Sequence, residues 1–356
     1  MSTLITGFPG FIGKRLVKAL LEADAETDIV TLVEPRMAGA ARSAASEIDG
    51  SRIEVVEGDI TEERLGLNED LHRKLTSEVT VLYHLAAIYD LSVPKELAQK
   101  VNVDGTGNVL DFCSSCDALE RHNYVSTAYV AGDRTGRIYE HELALGQGHK
   151  NHYESTKFQA EVWVRERMDE VPTTIFRPAI VVGDSGTGET QKFDGPYFAL
   201  RFISASLERG TPVANIGSAE APFNVVPVDF VVRTLVEMGA DPEAVGHTLH
   251  LCDPDPLSSE ELLDLLTRLY SGSETSYNLP PKLVDLTMRS KKVQELAGGV
   301  PHESIRYLNH PALYDTRQAT RLLGARGLRV PEISEYAPTM VEFFKAHEDD
   351  ESFRPG

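Results

Sequence analysis

The feature that most constrains the fold is a glycine-rich turn near the start of the chain. An apolar run at residues 4–6 has the composition of a buried strand, and an amphipathic helical pattern begins at Phe11. Between them, Gly7, Gly10 and Gly13 recur at every third position. Strand, glycine turn and helix in this order are typical of the first βαβ unit of a parallel sheet.

This turn predicts a dinucleotide-binding site. The first glycine permits the tight turn, the second lets backbone N–H groups approach a pyrophosphate, and the third lets the helix pack closely on the strand. The N-terminus of the helix favours the anion. The residues that we expect to contact the cofactor here are Gly7, Phe8, Gly10, Phe11, Ile12 and Gly13.

The second predicted strand, residues 29–33, is followed by Glu34 and Arg36. An acid at this position would bind the adenosine ribose hydroxyls of NAD and repel the 2′-phosphate of NADP. The arginine would instead pair with that phosphate. Both side chains could also lie in solvent. The sequence therefore favours NAD, with NADP as the alternative.

Further apolar runs alternate with helical patterns and predict an α/β fold with a Rossmann doubly wound parallel sheet. These strands are residues 53–57, 81–84, 124–125, 173–178 and 247–251. The ends of the third, fourth and sixth strands should supply further cofactor contacts, from Asp59, Ile60, Leu85, Ala86, Ala87 and Pro178. Asp59 could equally cap a helix. We interpret His84 as a strand-end core histidine rather than a catalytic one.

Tyr153 and Lys157 are four residues apart and would share one face of a helix. An ammonium group beside a phenol favours the phenolate and lowers the tyrosine pKa. Such a tyrosine could exchange a proton with an oxygen on a carbon that gains or loses hydride. The alternative is a solvated helix face, because this pair also arises by chance.

Several short motifs occur together, in a fixed order, over about residues 1–185. They are Thr6-Gly7-x-x-Gly10-x-x-Gly13, Gly58-Asp59, Leu85-Ala86-Ala87, Asn102-Val103-x-Gly105-Thr106, Val125-Ser126-Thr127, Tyr153-x-x-x-Lys157 and Arg177-Pro178. In these motifs the chain resembles the extended short-chain dehydrogenase/reductase superfamily, which includes the NAD-dependent epimerases and dehydratases.

This resemblance implies a catalytic set of Thr127, Tyr153 and Lys157. Thr127 would bind the substrate oxygen, and Tyr153 would be the general acid/base. Lys157 would bind the nicotinamide ribose and hold the tyrosine pKa down, so Tyr153 and Lys157 would also contact the cofactor. We assign Asn102 a structural role.

Within the superfamily, residues 7–11, 125–130, 153–157 and 177–185 look most like the branch of fatty acyl-CoA reductases and thioester-reductase domains. That branch reduces acyl thioesters with NADPH. Reduction of a ketone or an aldehyde, or oxidation of an alcohol, remains an equal alternative. Two further hypotheses are a sugar-nucleotide epimerase or dehydratase, for which Arg201, Arg233 and Arg306 are available, and a non-catalytic NAD(P)-sensing protein.

The second half of the chain predicts a smaller, mostly helical substrate lobe. We expect residues 1–185, with 222–252 returning, to form the Rossmann domain, residues 186–221 and 253–347 to form the lobe, and residues 348–356 to be a frayed tail. Residues 183–195 predict a mobile loop over the active site. Four aromatic residues lie near this loop, and we interpret them as core packing rather than as part of a substrate wall. If they did line the substrate site, they would select an apolar substrate. They are Phe193, Tyr197, Phe198 and Phe202.

Charge and composition narrow the function classes. The 356 residues carry a net charge of −20, which argues against nucleic acid as a partner. No apolar run approaches the roughly 20 residues of a membrane span, and the N-terminus lacks a basic signal-peptide region. Cys113 and Cys116 are expected to be structural thiols rather than metal ligands. We therefore predict a cytoplasmic enzyme with a small-molecule substrate and no metal, and a homodimer, as is common for such enzymes.

Overall fold

The structure is a computed structural model of the chain, and it describes residues 2–89 and 93–354. The strands are β1 (Ser2–Thr6), β2 (Asp28–Val33), β3 (Ile53–Glu57), β4 (Val79–His84), β5 (Arg121–Val125), β6 (Gly136–Ile138), β7 (Thr173–Pro178), β8 (Ile180–Val182), β9 (Ala214–Asn215), β10 (Val225–Pro227), β11 (Thr248–Leu251), β12 (Tyr277–Asn278) and β13 (Ala312–Tyr314).

The α-helices are α1 (Phe11–Ala23), α2 (Ala38–Ile48), α3 (Glu69–Glu78), α4 (Lys95–Ala98), α5 (Gly105–Ser115), α6 (His152–Glu166), α7 (Tyr197–Glu208), α8 (Val228–Ala240), α9 (Ser259–Ser271), α10 (Pro281–Met288), α11 (Lys291–Leu296), α12 (His302–Leu308), α13 (Arg317–Ala325) and α14 (Ile333–His347). A π-helical turn, Gln99–Asp104, joins α4 to α5.

The centre of the fold is a seven-stranded, all-parallel sheet in the order β3–β2–β1–β4–β5–β7–β11. Its inner strands are largely buried on both faces, as parallel sheets require, whereas the edge strand β3 exposes Glu54 and Glu57. Successive residues of β1 show why, because Ile5 packs among α1, α2 and α8 while Leu4 packs among α3 and α5. The predicted Rossmann fold is thus confirmed.

The strand order places a binding crevice beside β1. This strand is flanked by β2 on one side and by β4 on the other, so the chain reverses its direction of winding there. Ligands of such sheets bind outside the carboxyl ends of the strands at this switch point. The glycine turn after β1 and the loops after β4 and β5 all open at this edge.

A second hydrophobic cluster lies outside the sheet, formed mainly by α7, α9, α10, α12 and α14. The predicted lobe range needs one correction. Side chains of β13 and α13, such as Ala312 and Leu322, pack in the core of the main sheet rather than in this cluster. Their apolar spacing does not reveal which of two cores they fill, because both cores accept the same aliphatic side chains.

The predicted frayed tail is wrong as far as Phe353. Its ring stacks on Phe193 with 4.8 Å between centroids, and its carbonyl accepts a hydrogen bond from the Phe193 amide at 2.8 Å. Residues 351–353 form a single 3₁₀ turn capped by Asp350. The charged sequence around it gave no sign of this half-buried aromatic contact.

Candidate active site

Helix α6 places Tyr153 and Lys157 on one face. The helix begins at His152 because the Asn151 side chain caps it, accepting a hydrogen bond from the Glu154 amide at 2.9 Å. Tyr153 borders a cavity of about 380 Å³. Thr127 follows the end of β5, is buried, and lies near enough to the Tyr153 side chain to favour its phenolate. The structure therefore brings these two predicted catalytic side chains together.

Lys157 makes different contacts from those that the sequence suggested. Its ammonium donates to the Tyr124 hydroxyl at 3.0 Å and to the Val125 carbonyl at 2.8 Å, and it lies 4.5 Å from the centre of the Tyr124 ring. Burial lowers the pKa of Lys157 to about 7, against the opposing charge of Glu161. Tyr124 is a site residue that sequence reasoning missed.

The predicted depression of the Tyr153 pKa does not occur in this structure. Burial raises the pKa of Tyr153 above its usual value, and the nearby Thr127 hydroxyl offsets that rise only in part. The ammonium of Lys157 donates a hydrogen bond to Tyr124 of β5 instead of lying against Tyr153 as predicted. Tyr153 is consequently a protonated phenol at neutral pH.

A buried ion pair supports this site from below. Ser126 donates to the Glu161 carboxylate at 2.6 Å, and Arg177 binds the same carboxylate through Nε at 3.0 Å and Nη2 at 2.6 Å. Burial alone would raise the pKa of Glu161, but the guanidinium groups of Arg177 and Arg165 hold it below its usual range. Because Ser126 is committed to Glu161, Thr127 is the hydroxyl that faces Tyr153.

The network extends through His250 to the strand at the sheet edge. Its Nδ1 lies 2.7 Å from the Asp315 carbonyl, so Nδ1 carries the proton, and its Nε2 accepts from Arg177 at 3.1 Å. Burial lowers the pKa of His250 to about 3, which agrees with a neutral ring. Sequence reasoning missed Glu161 and His250. The four-residue spacing of Lys157, Glu161 and Arg165 on α6 was the available signal.

The glycine turn has the shape of a phosphate cradle. Gly7 has φ +91°, and a Cβ there would lie 2.9 Å from the Ala86 amide nitrogen, so the backbone after β4 closes directly on the turn. A Cβ on Gly13 would collide with the Gly7 carbonyl. Helix α1 starts without a side-chain cap, which leaves its first amides free for an anion. These residues fit the pyrophosphate of a dinucleotide.

The other predicted cofactor residues lie around the same crevice. Asp59 accepts a hydrogen bond from the Thr61 amide at 2.8 Å, which shapes the loop after β3. The side chain of Ile60 packs where a Cβ on Gly105 would otherwise sit. Leu85 and Ala86 donate through their amides to the carbonyl and hydroxyl of Thr6. Phe8, Phe11, Ile12 and Ala87 lie in the segments after β1 and β4, and Pro178 ends β7.

His84 and Asn102 have structural partners. The His84 ring lies between the hydroxyls of Thr6 at 2.7 Å and Thr106 at 3.1 Å, and burial keeps its pKa well below the usual value. Asn102, in the π-helical turn, pairs with both backbone groups of Ile88 and donates to Thr156 at 3.0 Å. Asn102 therefore ties the loop after β4 to helix α6.

Glu34 and Arg36 form an ion pair with each other at 2.7 Å, and both side chains are largely exposed. The carboxylate is thus adjacent to the position where an adenosine ribose would lie, and the guanidinium is held beside it. This arrangement is compatible with either cofactor, since a 2′-phosphate could take the place of the carboxylate beside Arg36.

A cavity of about 380 Å³ opens above Tyr153. Of the four aromatic residues noted in the sequence, Phe198 and Phe202 line this cavity, whereas Phe193 and Tyr197 pack in the core beneath it. Core packing holds for all four, because Phe198 also belongs to the lobe core and Phe202 packs against it. Their role as a substrate wall stays a prediction. The remaining wall comes from Tyr89, Tyr129, Tyr153, Ile180, Lys192, Asp194, Gly195, Pro196, Ala199, Ile216, Phe223, Ser259, Leu262, Leu263, Val300, Pro301, Glu303, Ser304, Tyr307 and Leu308.

Tyr307 joins the lobe to the start of helix α6. Its hydroxyl accepts from the Asn151 amide group at 2.7 Å and donates to the buried Glu154 carboxylate at 2.7 Å. The Tyr129 ring packs edge-on against it, with 5.2 Å between centroids. The loop at residues 183–195 is partly held by Ser185, which donates twice to Asp229; its mobility stays a prediction.

The sequence matches a family of known proteins. A family model described as male sterility protein, an NAD-binding family, matches residues 5–235, well over half of the chain. The chain belongs to this family. Membership places it among the NAD(P)-binding oxidoreductases of the extended short-chain dehydrogenase/reductase type, as the sequence predicted.

Relatives of this male sterility family member include large enzymes. A component of the linear gramicidin synthase of Brevibacillus parabrevis is 25% identical over 94% of this chain but only 7% of its own length. L-2-aminoadipate reductase of Saccharomyces cerevisiae is 26% identical over 68% of this chain and 19% of its own length. The chain thus spans less than a fifth of the length of either relative.

Two solved structures share the fold of this family member. The terminal R domain from the myxalamid PKS-NRPS biosynthetic pathway has a TM-score of 0.82 at 24% identity, over 99% of this chain and 92% of that one. UDP-glucuronic acid 4-epimerase from Bacillus cereus, in complex with NAD, has a TM-score of 0.67 at 21% identity, over 97% and 99%. At these identities the likeness concerns the fold.

The described residues contain neither a candidate membrane-spanning helix nor a candidate metal site. No helix in the described parts of the chain has the length and apolarity to cross a bilayer. Within residues 2–89 and 93–354, no group of three His, Cys, Asp or Glu side chains is arranged to bind a metal. Cys113, Cys116 and Cys252 are free thiols, and burial raises the pKa of Cys116 to about 12.

Proposed function

We propose that the protein transfers hydride between NAD(P) and the carbonyl or alcohol carbon of a substantially apolar substrate, with Tyr153 as the general acid/base. One observation carries the proposal: the phenol of Tyr153, with Thr127 beside it, borders an apolar cavity at the carboxyl edge of a dinucleotide-binding sheet. Bound NAD(P) would supply or accept the hydride.

The chain's own residues divide the remaining work. Thr127 is placed to hold the substrate oxygen beside the phenol. Tyr153 then gives its proton to the oxygen that becomes negative during reduction. Because burial raises the pKa of Tyr153, the protonated form that can act as this acid is the resting form at neutral pH. This is the form that the reduction direction uses.

Lys157 does not transfer the proton itself. Its ammonium is anchored on Tyr124 and on the carbonyl of Val125, which precedes Thr127 by two residues. A pKa of about 7 leaves it able to gain or lose a proton near neutrality. From this place it is suited to hold the nicotinamide ribose and to stabilise negative charge near the phenol.

The substrate carbonyl is proposed to belong to an acyl thioester or an aldehyde. L-2-aminoadipate reductase, a relative by sequence, is named for the reduction of a carboxylic acid. The solved structure with a TM-score of 0.82 is a terminal R domain from a PKS-NRPS biosynthetic pathway. An apolar wall suits the acyl part of a thioester or an aldehyde.

A sugar-nucleotide epimerase is the weaker alternative. Its diphosphate substrate would need cationic side chains in the cavity. None of the three arginines named for that role, Arg201, Arg233 and Arg306, lines the cavity, and Lys192 is the one cation among its described lining residues. The likeness to UDP-glucuronic acid 4-epimerase rests on the fold.

The test is Tyr153→Phe. Oxidation of NADPH and of NADH is followed with a series of aliphatic aldehydes and acyl-CoA thioesters. Epimerisation of UDP-glucose, which consumes no cofactor, is followed separately by the appearance of UDP-galactose. Loss of the proton donor should lower kcat by about 100-fold or more, while the dissociation constant of the cofactor stays unchanged. Tyr139→Phe, which removes a phenol outside the cavity, serves as the control. Equal turnover by the Tyr153 variant would refute the mechanism.

A further inference from the structure

Asp194 is a carboxylate fixed in the cavity wall. It follows Phe193, which is buried in an aromatic cluster with Phe344 and Phe353 at centroid distances of 4.8 Å, and it precedes Gly195. The Phe193 amide is also bonded to the Phe353 carbonyl. The backbone beside Asp194 is thus anchored, and the side chain faces the cavity together with Tyr89 and Tyr153.

An acid just before a helix would ordinarily be a cap, and Asp194 is not one. Helix α7 begins three residues later, at Tyr197, and receives no side-chain cap. The groups that favour the charged form of the carboxylate are Lys192 and the aspartate's own backbone amide. Among the described residues, no side chain donates a hydrogen bond to this carboxylate.

The surroundings of Asp194 disfavour an ionised carboxylate. Most of the cavity wall is aliphatic or aromatic, and burial raises the pKa of Asp194 to about 6. Its charge acts on Tyr89, whose ring packs edge-on against Tyr153 with 5.1 Å between centroids. The carboxylate therefore lines the same cavity as the reacting phenol and is still mostly ionised at pH 7.

We propose that Asp194 binds a cationic nitrogen of the substrate, so that the enzyme acts on carbonyl compounds carrying an ammonium group. The carboxylate supplies the counter-charge, and the tyrosine rings of the wall offer the aromatic faces on which ammonium groups bind. A bound cation also relieves the cost of an ionised carboxylate in an apolar wall. This inference rests on the proposed function, because the cation must belong to the molecule whose carbonyl meets Tyr153.

The experiment compares ligands that differ in one charge. The first pair is choline and its uncharged isostere 3,3-dimethylbutan-1-ol, and the second is 6-trimethylammoniohexan-1-ol and 7,7-dimethyloctan-1-ol. Dissociation constants are measured by calorimetry on the full chain with reduced cofactor present, so that the alcohols bind without turnover. In at least one pair the cation should bind at least about tenfold more tightly than its isostere.

Two variants locate the preference. Asp194→Asn keeps the shape of the side chain and should abolish the preference for the cation, with little change in the affinity of the uncharged alcohol. Glu303→Gln removes the exposed carboxylate at the rim of the same cavity and should keep the preference. Melting temperatures show whether each variant is folded.

Three results would overturn the inference: equal affinity for cation and isostere in both pairs, a preference that survives in Asp194→Asn, or an equal loss in Glu303→Gln. Each is distinguishable from failure of the proposed function, because binding of these alcohols requires no proton transfer by Tyr153. A wild-type enzyme that reduces aldehydes but ignores the charge would retain the proposed function and lose this substrate class.

Discussion

The two walls of the cavity differ in how their polar groups are held. On the side of the main sheet, behind the cavity lining, Lys157 has two hydrogen-bond acceptors and Glu161 has three donor side chains. The closest contact with each of these partners is 3.0 Å or less. On the lobe wall, Asp194 has no donor side chain among the described residues, and most of its neighbours are apolar.

We relate this difference to two roles, proton transfer on the side of the main sheet and substrate selection on the side of the lobe. A proton donor must keep its position, and buried polar groups that are fully hydrogen-bonded keep theirs. A substrate wall needs shape and a few unsatisfied groups that the ligand itself completes. The same chemical group illustrates both cases, since the carboxylate pKa is lowered in Glu161 and raised in Asp194.

The largest expected effect tests the buried ion-pair network on the side of the main sheet. Arg177→Met leaves the Glu161 carboxylate buried with its principal partner removed. Breaking a buried ion pair from one side costs about 3–5 kcal/mol of unfolding free energy. Denaturant titration followed by circular dichroism measures the loss.

Arg137→Met provides the control for this substitution. Its ion pair with Asp315 spans 3.8 Å and is half exposed on the arginine side, so the expected cost is about 0–1 kcal/mol. Similar losses in the two variants would show that the buried network beneath Thr127 contributes no special stability, and the contrast between the walls would lose its basis.

A second, smaller effect concerns the buried lysine. Because the pKa of Lys157 is about 7 in the folded protein and about 10.4 in an unfolded chain, the unfolded state binds more protons between these values. Stability from this group therefore rises with pH across that window and is lowest below pH 7. Lys157→Met removes the contribution.

The measurement is the difference in unfolding free energy between Lys157→Met and the cofactor-free wild type, at pH 7, 8 and 9. The unfolding free energy of Lys157→Met minus that of the wild type should fall by about 2 kcal/mol from pH 7 to pH 9. The exposed Lys14, replaced by methionine, should show no such trend. A difference that stays constant with pH would mean that Lys157 is not desolvated as the structure indicates.

Most of the fold could be predicted from local patterns. Most strands of the main sheet contain an apolar run, although β5 begins with Arg121, His122 and Asn123. The neighbours of each strand follow from the alternation of strands and helices. The C-terminal elements β13 and α13 could not be assigned, because amphipathicity shows that a face is buried without showing against what. Likewise Phe353 was hidden in a charged tail.

The site was predictable where its residues share one element. Tyr153 and Lys157 lie on α6, so their spacing alone places them on one face of the helix. The partners of Lys157 were not predictable, because Tyr124 arrives from β5 and its distance from α6 depends on packing across the sheet face. Tyr307 is 154 positions beyond Tyr153 in the sequence, and no local pattern connects it to Glu154.

The smallest expected effect on stability tests the lobe wall. Phe202 lies between the main cavity and a second, apolar cavity of about 110 Å³, and its side chain borders both. Phe202→Ala should join the two spaces. Since Phe202 is only half-buried, we expect a loss of about 1–2 kcal/mol of unfolding free energy, less than for a fully buried phenylalanine.

The main consequence of Phe202→Ala should be a change in selectivity. With the cavities joined, kcat/KM for aliphatic aldehydes of increasing length should reach its maximum at a longer chain, while kcat for short aldehydes changes little. Phe198→Ala is the matched control, because Phe198 lines the main cavity without bordering the second. If both variants shift the chain-length optimum equally, added volume rather than the connection sets the limit. If neither shifts it, the lobe wall does not select the substrate, and the division between a rigid catalytic wall and a selective lobe wall fails.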